Sequence, residues 1–440
     1  MFVANYVDRV NIGFAQDQLR ADVGISAAAF GFGAGLFFVA YAIFEVPSNM
    51  LMERFGAKIW LTRIMITWGL VASAMAFVTS TEMFYALRFL LGVAEAGFFP
   101  AVIYYFTRWL PDADRGRATA IFLMGSGTAS VIAGPLSGAL LEMHGLLGHS
   151  GWQWMFFLEG IASVLLGLVV FRFLDNRLED ATWLTGPEKA ALTAAIDAEQ
   201  AARTAARGTA KVSRLRLLTD PQMLLFCWLY FAISLALYAV TFWLPSIVDD
   251  IGGLSEFEVG LLVAVPWLCA IAGVYVAGRA SDRIGRRRPF LVGALLLGSV
   301  GTLLATMVSP WLALAALCLA AMGFKTSSPV FWTIPQSYLD ARVAAPAIAL
   351  VNSLGNLGGF VSPTAFGILQ DATGSTRGGL IGLSVVGVLA AMGVALIRGG
   401  GRNERPRGRR TATGPAPVTH SATGGAGAAD PPPDAAPAGA

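Results

Sequence analysis

Charge is what this chain has least of. Only 13% of its 440 residues are Asp, Glu, Lys or Arg, about half the roughly 25% with which a soluble domain wets its surface. That excludes an ordinary water-soluble enzyme and a disordered chain. Cysteine is scarce as well. Cys227, Cys269 and Cys318 lie inside apolar runs with no metal-like spacing, so a disulfide-stapled scaffold is excluded and packing is their expected role. Of the three histidines, His144 and His149 fall in a loop and His420 in the tail, poor positions for a proton relay. There is no G-x-x-x-x-G-K-[ST], H-E-x-x-H or paired C-x-x-C, so nothing points to nucleotide hydrolysis, a metal, a cofactor or enzyme chemistry. The chain begins inside an apolar stretch that soon meets Asp8-Arg9, and no cleavable signal peptide is expected.

What is present suits lipid. Hydrophobic residues make up 55%, with 50 Gly, 28 Phe and 11 Trp. A spanning helix needs about 20 mostly apolar residues. Such runs fall near 1–17, 30–51, 60–79, 83–106, 118–141, 153–174, 223–247, 258–279, 289–308, 311–335, 343–370 and 378–397. An all-α membrane protein with twelve transmembrane helices follows. Its expected layout is a six-helix half over 1–174, a cytoplasmic central loop over 175–222, a second six-helix half over 223–397 and a disordered tail over 398–440. The Ala- and Glu-rich stretch 187–206 predicts a short surface helix in the loop. The tail has no Leu, Ile or aromatic residue from Gly399 onward and too little apolar area to offset the entropy of ordering.

Sorting the basic residues by side gives the orientation. With the even-numbered helix ends in the cytoplasm, 26 of the 31 Lys and Arg are cytoplasmic, Arg20 and Arg377 are outside, and Arg9, Arg88 and Lys325 lie within spans. The positive-inside rule then places both termini in the cytoplasm. With 27 Arg to four Lys and abundant Ala and Gly, GC-rich bacterial coding and an inner-membrane location are expected. The formal net charge of +3 by itself says little; no nucleic-acid partner is expected, the lipid bilayer is the expected surrounding and a monomer the expected state.

The halves repeat at an offset of 229. Gly24-Ile25-Ser26 matches Gly253-Leu254-Ser255, Glu53-Arg54-Phe55-Gly56 matches Asp282-Arg283-Ile284-Gly285, and Pro100 matches Pro329. Their even placement at loop and helix-end landmarks argues for duplication. Two six-helix pseudo-repeats of this kind are the plan of the major facilitator fold, with the substrate site between them. Helix seven begins near Pro221, whose partner would precede Met1 by about eight residues. Helix one is therefore expected to lack its cytoplasmic end, with a mis-assigned start the favoured cause.

The loop from Gly278 to Arg288 resembles the G-x-x-x-D-R-x-G-R-[RK] signature of the major facilitator superfamily, and Glu53-Arg54-Phe55-Gly56 keeps its core. Glu53, Arg54, Asp282 and Arg283 are the candidate gating residues, since an acid there can meet an Arg or a helix N-terminus and hold one access state closed. Ordinary positive-inside charge is the competing explanation.

Within the spans lie Asp8, Arg9, Glu45, Arg88, Glu95, Glu159 and Lys325. A charge at the bilayer centre costs about 2.5–3.5 kcal/mol on insertion scales, so such residues are expected to face a cavity or one another. Arg88 and Glu95 are two turns apart on one helix face. Asp8 and Arg9 diverge by about 100°, and only one can face a cavity squarely. Structural ion pairing is the alternative, most so for Glu45 and Glu159.

Asn5 to Gly13, Phe44 to Asn49, Arg88 to Gly97 and Phe156 to Gly160 together resemble the anion:cation symporter family, a branch of the major facilitators that includes bacterial tartrate, phthalate and sugar-acid permeases. The resemblance covers residues 4–397. It implies that Arg88 binds a substrate carboxylate, that Glu95 and Asp8 take up protons and that Arg9 is their ionic partner. Tyr6 and Tyr41 would offer hydroxyls to the substrate. Trp332, Asn352 and Asn356 resemble the family's helix-ten and helix-eleven segments and are further substrate candidates, with helix packing as the alternative. Lys325 departs from the family pattern, which has a neutral residue there; a second cation for a dicarboxylate, a partner for Glu95 and a snorkelling side chain all remain open. The function expected is proton-coupled import of an organic carboxylate. A proton-coupled multidrug exporter and a non-transporting membrane sensor are the alternatives.

Overall fold

The computed structural model describes residues 1–206, 220–338 and 341–397, apart from the side chains of residues 112, 113, 200, 202–206, 282, 336–338, 341–346 and 349. The expected tail and the basic stretch around Lys211 lie outside them. In chain order the helices are α1 (Phe2–Val23), α2 (Ala27–Phe55), α3 (Ala57–Ala74), α4 (Thr81–Glu95), α5 (Phe98–Trp109), α6 (Asp112–Leu141), α7 (Gly151–Phe173), α8 (Gly186–Ala206), α9 (Pro221–Asp249), α10 (Glu256–Ile284), α11 (Arg287–Ala305), α12 (Pro310–Tyr338), α13 (Ala341–Asn356), α14 (Gly358–Thr373) and α15 (Arg377–Ala395). No strand occurs among the described residues.

Short polar caps set these boundaries. Ser26 accepts a hydrogen bond from the Ala29 amide at 3.1 Å and starts α2; Ser80 accepts from Met83 at 3.2 Å and starts α4. Ser255 and Glu258 form a reciprocal capping box at α10. Ten of the crossings, α4 and α5 together counting as one, are long and apolar enough to span a membrane. The polar α1 and the interrupted α13–α14 pair bring the number among the described residues to twelve. The α1 helix fails on hydropathy because its interior face carries Asn5, Asp8, Asn11 and Gln16, all buried. The helix expected over 187–206 forms as α8, where Thr185 bonds Glu188 through its amide at 2.9 Å and its hydroxyl at 2.7 Å, holding that carboxyl below its ordinary range.

Two expected continuous spans are broken. The run 83–106 divides into α4 and α5 at Ala96-Gly97, and the run 343–370 divides at Leu357. Non-helical backbone at membrane depth survives only where protein groups satisfy it. The Ser48 hydroxyl does so at the first break, donating to the Ala96 carbonyl at 2.6 Å and accepting from the Trp60 indole at 3.0 Å. Gly97 lies at φ +86°, and a Cβ there would strike Ser48. Replacing Ser48 by alanine orphans a buried carbonyl, so a loss of about 1–3 kcal/mol is expected, read as a lower Tm in detergent.

The halves meet closely at one end of the bundle, the end poor in basic residues. Asp371 at the close of α14 accepts from the Ala27 and Ala28 amides at 3.0 and 2.8 Å, capping the start of α2. Gln18 donates to Glu256 at 2.7 Å, and the Phe257 amide donates to Glu142 at 3.2 Å. Glycine allows α6 and α10 to touch: a Cβ on Gly134 would overlap the Gly260 carbonyl oxygen. Along α2, Gly31 and Gly35 pack against the α14 backbone. One turn further Phe38 meets Tyr238 at 4.5 Å between ring centres, and there the seal gives way to a cavity.

Candidate functional site

Arg9 lies at the centre of the interface. Its guanidinium pairs with the Glu95 carboxylate and rests over the Phe37 and Tyr41 rings, 5.2 Å from each centre. It lines a small cavity of about 30 Å³ with Phe38, Tyr41, Ala42 and Glu45 of α2, Tyr238 of α9, and Ser353 and Asn356 of α13. That is far below the ~300–1,000 Å³ seen for ligand pockets, so a ligand enters only when these walls move apart. Both halves contribute to its wall. Glu95 is the last residue of α4, so the break at Ala96-Gly97 directly follows the acid that holds Arg9.

Asp8 points elsewhere, as neighbours on a helix must. It is 2% exposed and accepts from Asn11 at 3.3 Å. The same Asn11 amide donates to Glu159 of α7 at 2.7 Å, and Ser137 of α6 donates to the other Glu159 oxygen at 3.2 Å. Asp8 and Glu159 are thus two buried carboxylates joined through one asparagine. Arg88 lies deeper, 1% exposed, with its charge over the opposite edge of the site at Phe37, 5.3 Å away. It donates to the Ala34 carbonyl at 3.3 Å, while its Nε and Nη1 have no partner among the described residues.

The structure brings some of the sequence-derived candidates together and leaves others apart. Arg9, Tyr41 and Asn356 line the cavity. Arg88 does not; Phe37 lies against it. Asn352 is outside the lining, and Ser353, three residues from Asn356, faces inward in its place. Trp332 packs on Tyr230, with ring centres 4.7 Å apart. Tyr6 is buried beneath the Lys325 ammonium, 5.5 Å from the ring centre. Of the gating candidates, Glu53, Arg54 and Arg283 are exposed at the basic end, and the Asp282 side chain lies outside the described residues. Phe38, Ala42, Tyr238 and Ser353 were not anticipated. Tyr238 was within reach: subtracting the repeat offset of 229 from 238 gives 9, the position of Arg9. Among the described residues no group of three His, Cys, Asp or Glu could hold a metal ion.

Apolar crossings in two sealed halves, with opposite charges buried where the halves meet, define a polytopic membrane transporter. The chain belongs to the Major Facilitator Superfamily, whose family model matches residues 1–363 and again 253–426, the second match starting after α9. This is a transporter family, not an enzyme family. An Agrobacterium vitis protein described as "Putative tartrate transporter" is 46% identical over 395 residues, covering 89% of this chain and 90% of its own. An Acinetobacter baumannii protein named "Quinolone resistance transporter" is 41% identical over 387 residues, covering 88% of each. Among solved structures, a bacterial homologue of the human lysosomal transporter Spinster, in an inward-facing and unoccupied conformation, superposes with a TM-score of 0.75 at 17% identity over 90% of this chain and 94% of its own. That likeness supports the fold alone.

Proposed function

We propose that the protein imports a small organic carboxylate together with protons across the bacterial inner membrane. The observation that carries this reading is the Arg9–Glu95 pair, buried at the cavity between the halves. An entering carboxylate competes with Glu95 for Arg9, and Arg88 behind Phe37 adds a second positive charge with free donors. Once displaced, Glu95 takes up a proton, as does Asp8, and the neutralised centre lets the halves rock. Proton and substrate then favour each other's binding, and such coupling is reciprocal. Tyr41 and Asn356, with Ser353 and Tyr238, supply hydrogen bonds to the ligand, while Tyr6, Trp332 and Asn352 shape the neighbouring wall. The 26 basic residues on one side favour cytoplasmic termini, so the closed end faces outward and the cavity inward. Glu53, Arg54, Asp282 and Arg283 would then meet when the cytoplasmic end closes. We take the divisions 1–174, 175–222, 223–397 and 398–440 as the working domain layout and a monomer as the working unit. The relative named for tartrate supports the carboxylate.

Proteoliposomes with an acid exterior should accumulate labelled tartrate above the outside concentration, and collapsing the gradient should release it. Uptake that ignores the gradient would reject proton coupling. A second reading is export of amphipathic drugs. It is favoured by the quinolone-named relative and by the aromatic Phe38, Tyr41 and Tyr238 in the cavity wall. That reading requires quinolone efflux that survives Arg88→Ala, whereas carboxylate import should not.

A further inference from the structure

A second polar cluster lies within the first six crossings, and none of its members lines the cavity. Asp8 and Asn11 of α1, Ser137 of α6 and Glu159 of α7 are all buried. Hydrogen bonds chain them together. The Asn11 amide nitrogen donates to Asp8 Oδ1 at 3.3 Å and to Glu159 Oε2 at 2.7 Å, and the Ser137 hydroxyl donates to Glu159 Oε1 at 3.2 Å. Two further oxygens, Asp8 Oδ2 and Asn11 Oδ1, have no partner among the described residues. Buried acceptors are seldom left so, and each calls for a donor or a cation. Neither acid has a Lys or Arg within ion-pairing distance among the described residues. Arg9 turns to Glu95, and Arg88, whose charge acts on Asp8, donates to the Ala34 carbonyl instead.

Charge and ligand type indicate what the cluster takes. Asp8 and Glu159 bring two negative charges, Arg88 offsets one of them, and the remainder matches a single monovalent cation. A divalent ion would leave a buried positive charge uncompensated. The ligands are carboxylate, amide and hydroxyl oxygens, which suit a hard ion and not a soft metal. A half-turn of the Asn11 amide brings its free oxygen to the point where the nitrogen now bonds both acids, so one small ion there reaches both. We propose that Asp8, Asn11, Ser137 and Glu159 form a binding site for one Na+. Two acids suffice because amide and hydroxyl oxygens complete the shell, and links of 2.7–3.3 Å favour Na+ over the larger K+. The ion and the proton proposed above for Asp8 are alternatives at one carboxylate, and either neutralises the cluster. No substrate atom is involved, so the site does not depend on what the protein carries.

The test is the binding of radiolabelled Na+ to the purified full-length protein at neutral pH, without substrate. The wild type should bind one ion per chain, displaced by unlabelled NaCl and not by equal concentrations of KCl or choline chloride. Ser137→Ala removes one hydroxyl and no charge, and should weaken binding about tenfold, equivalent to about 1.4 kcal/mol. Glu159→Gln should abolish it. If Glu159→Gln does not fold, Ser137→Ala supplies the comparison. No Na+ binding by the wild type, equal displacement by KCl, or binding that both substitutions leave unchanged would overturn the proposal. Carboxylate uptake is measured separately in proteoliposomes, so its failure and the failure of the Na+ site are told apart.

Discussion

Glutamine in place of Glu95 should abolish pH-driven accumulation of the carboxylate while preserving its exchange across the membrane. The Glu95 carboxylate is 1% exposed and holds the one arginine that lines the cavity from α1. Glutamine keeps the shape but cannot exchange a proton, so occupancy no longer depends on proton uptake. Counterflow of labelled against unlabelled tartrate should continue, and the accumulation ratio under an acid-outside gradient should fall to one. Breaking a buried ion pair from one side costs about 3–5 kcal/mol, because Arg9 is left uncompensated. A lower Tm is therefore expected, with much of the loss recovered when a carboxylate is added. Glu95→Asp should retain gradient-driven uptake at a reduced rate. Accumulation that survives Glu95→Gln would place the coupling proton elsewhere, with Asp8 and Glu159 the next pair to examine.

Leucine at Gly134 should hold the basic-poor end open. Here α6 and α10 pass so closely that even a Cβ on Gly134 would collide with the Gly260 carbonyl oxygen. Overpacking typically costs about 1–3 kcal/mol. Because this cost falls on one access state alone, it shifts the balance between states by about 5–150-fold. Transport should drop to near background without loss of folded protein. The shift is measurable through a cysteine at Thr364, which lies half-buried in the α2–α14 contact at the same closed end and bonds the Phe360 carbonyl at 2.9 Å. In a background free of Cys227, Cys269 and Cys318, an impermeant maleimide added outside should label Thr364→Cys slowly, and much faster when Gly134→Leu is present. Equal labelling and normal transport would mean that the two helices separate at this point without consequence.

The architecture was largely legible before any coordinates. Apolar runs report which solvent a segment prefers, and caps such as Ser26, Ser80 and Ser255 mark where the chain leaves it. The scarcity of charge also made its exceptions conspicuous, and Asp8, Arg9, Arg88, Glu95, Glu159 and Lys325 are all buried or half-buried. Periodicity established that Asp8 and Arg9 diverge. It could not establish that Arg9 takes the cavity and Asp8 the interior.

Other features had no local signal. In the run 83–106, Gly97 and Pro100 allow the helix to stop after Glu95 but do not require it, and the group that satisfies the freed Ala96 carbonyl is Ser48, on α2 and nearly fifty residues away. The choice of Ser353 over Asn352, the withdrawal of Arg88 behind Phe37 and the link from Asp8 to Glu159 through Asn11 likewise depend on which helix faces lie against one another. Composition and pattern were enough for the solvent, the number of crossings, the duplication and the residues too costly to bury without purpose, since each follows from the free energy of placing one segment in lipid. The partners of those residues, the break in the fourth crossing and the end at which the halves close were decided by tertiary packing. They depend on contacts between segments up to several hundred residues apart, and such contacts exist only once both halves are folded and in one of their access states.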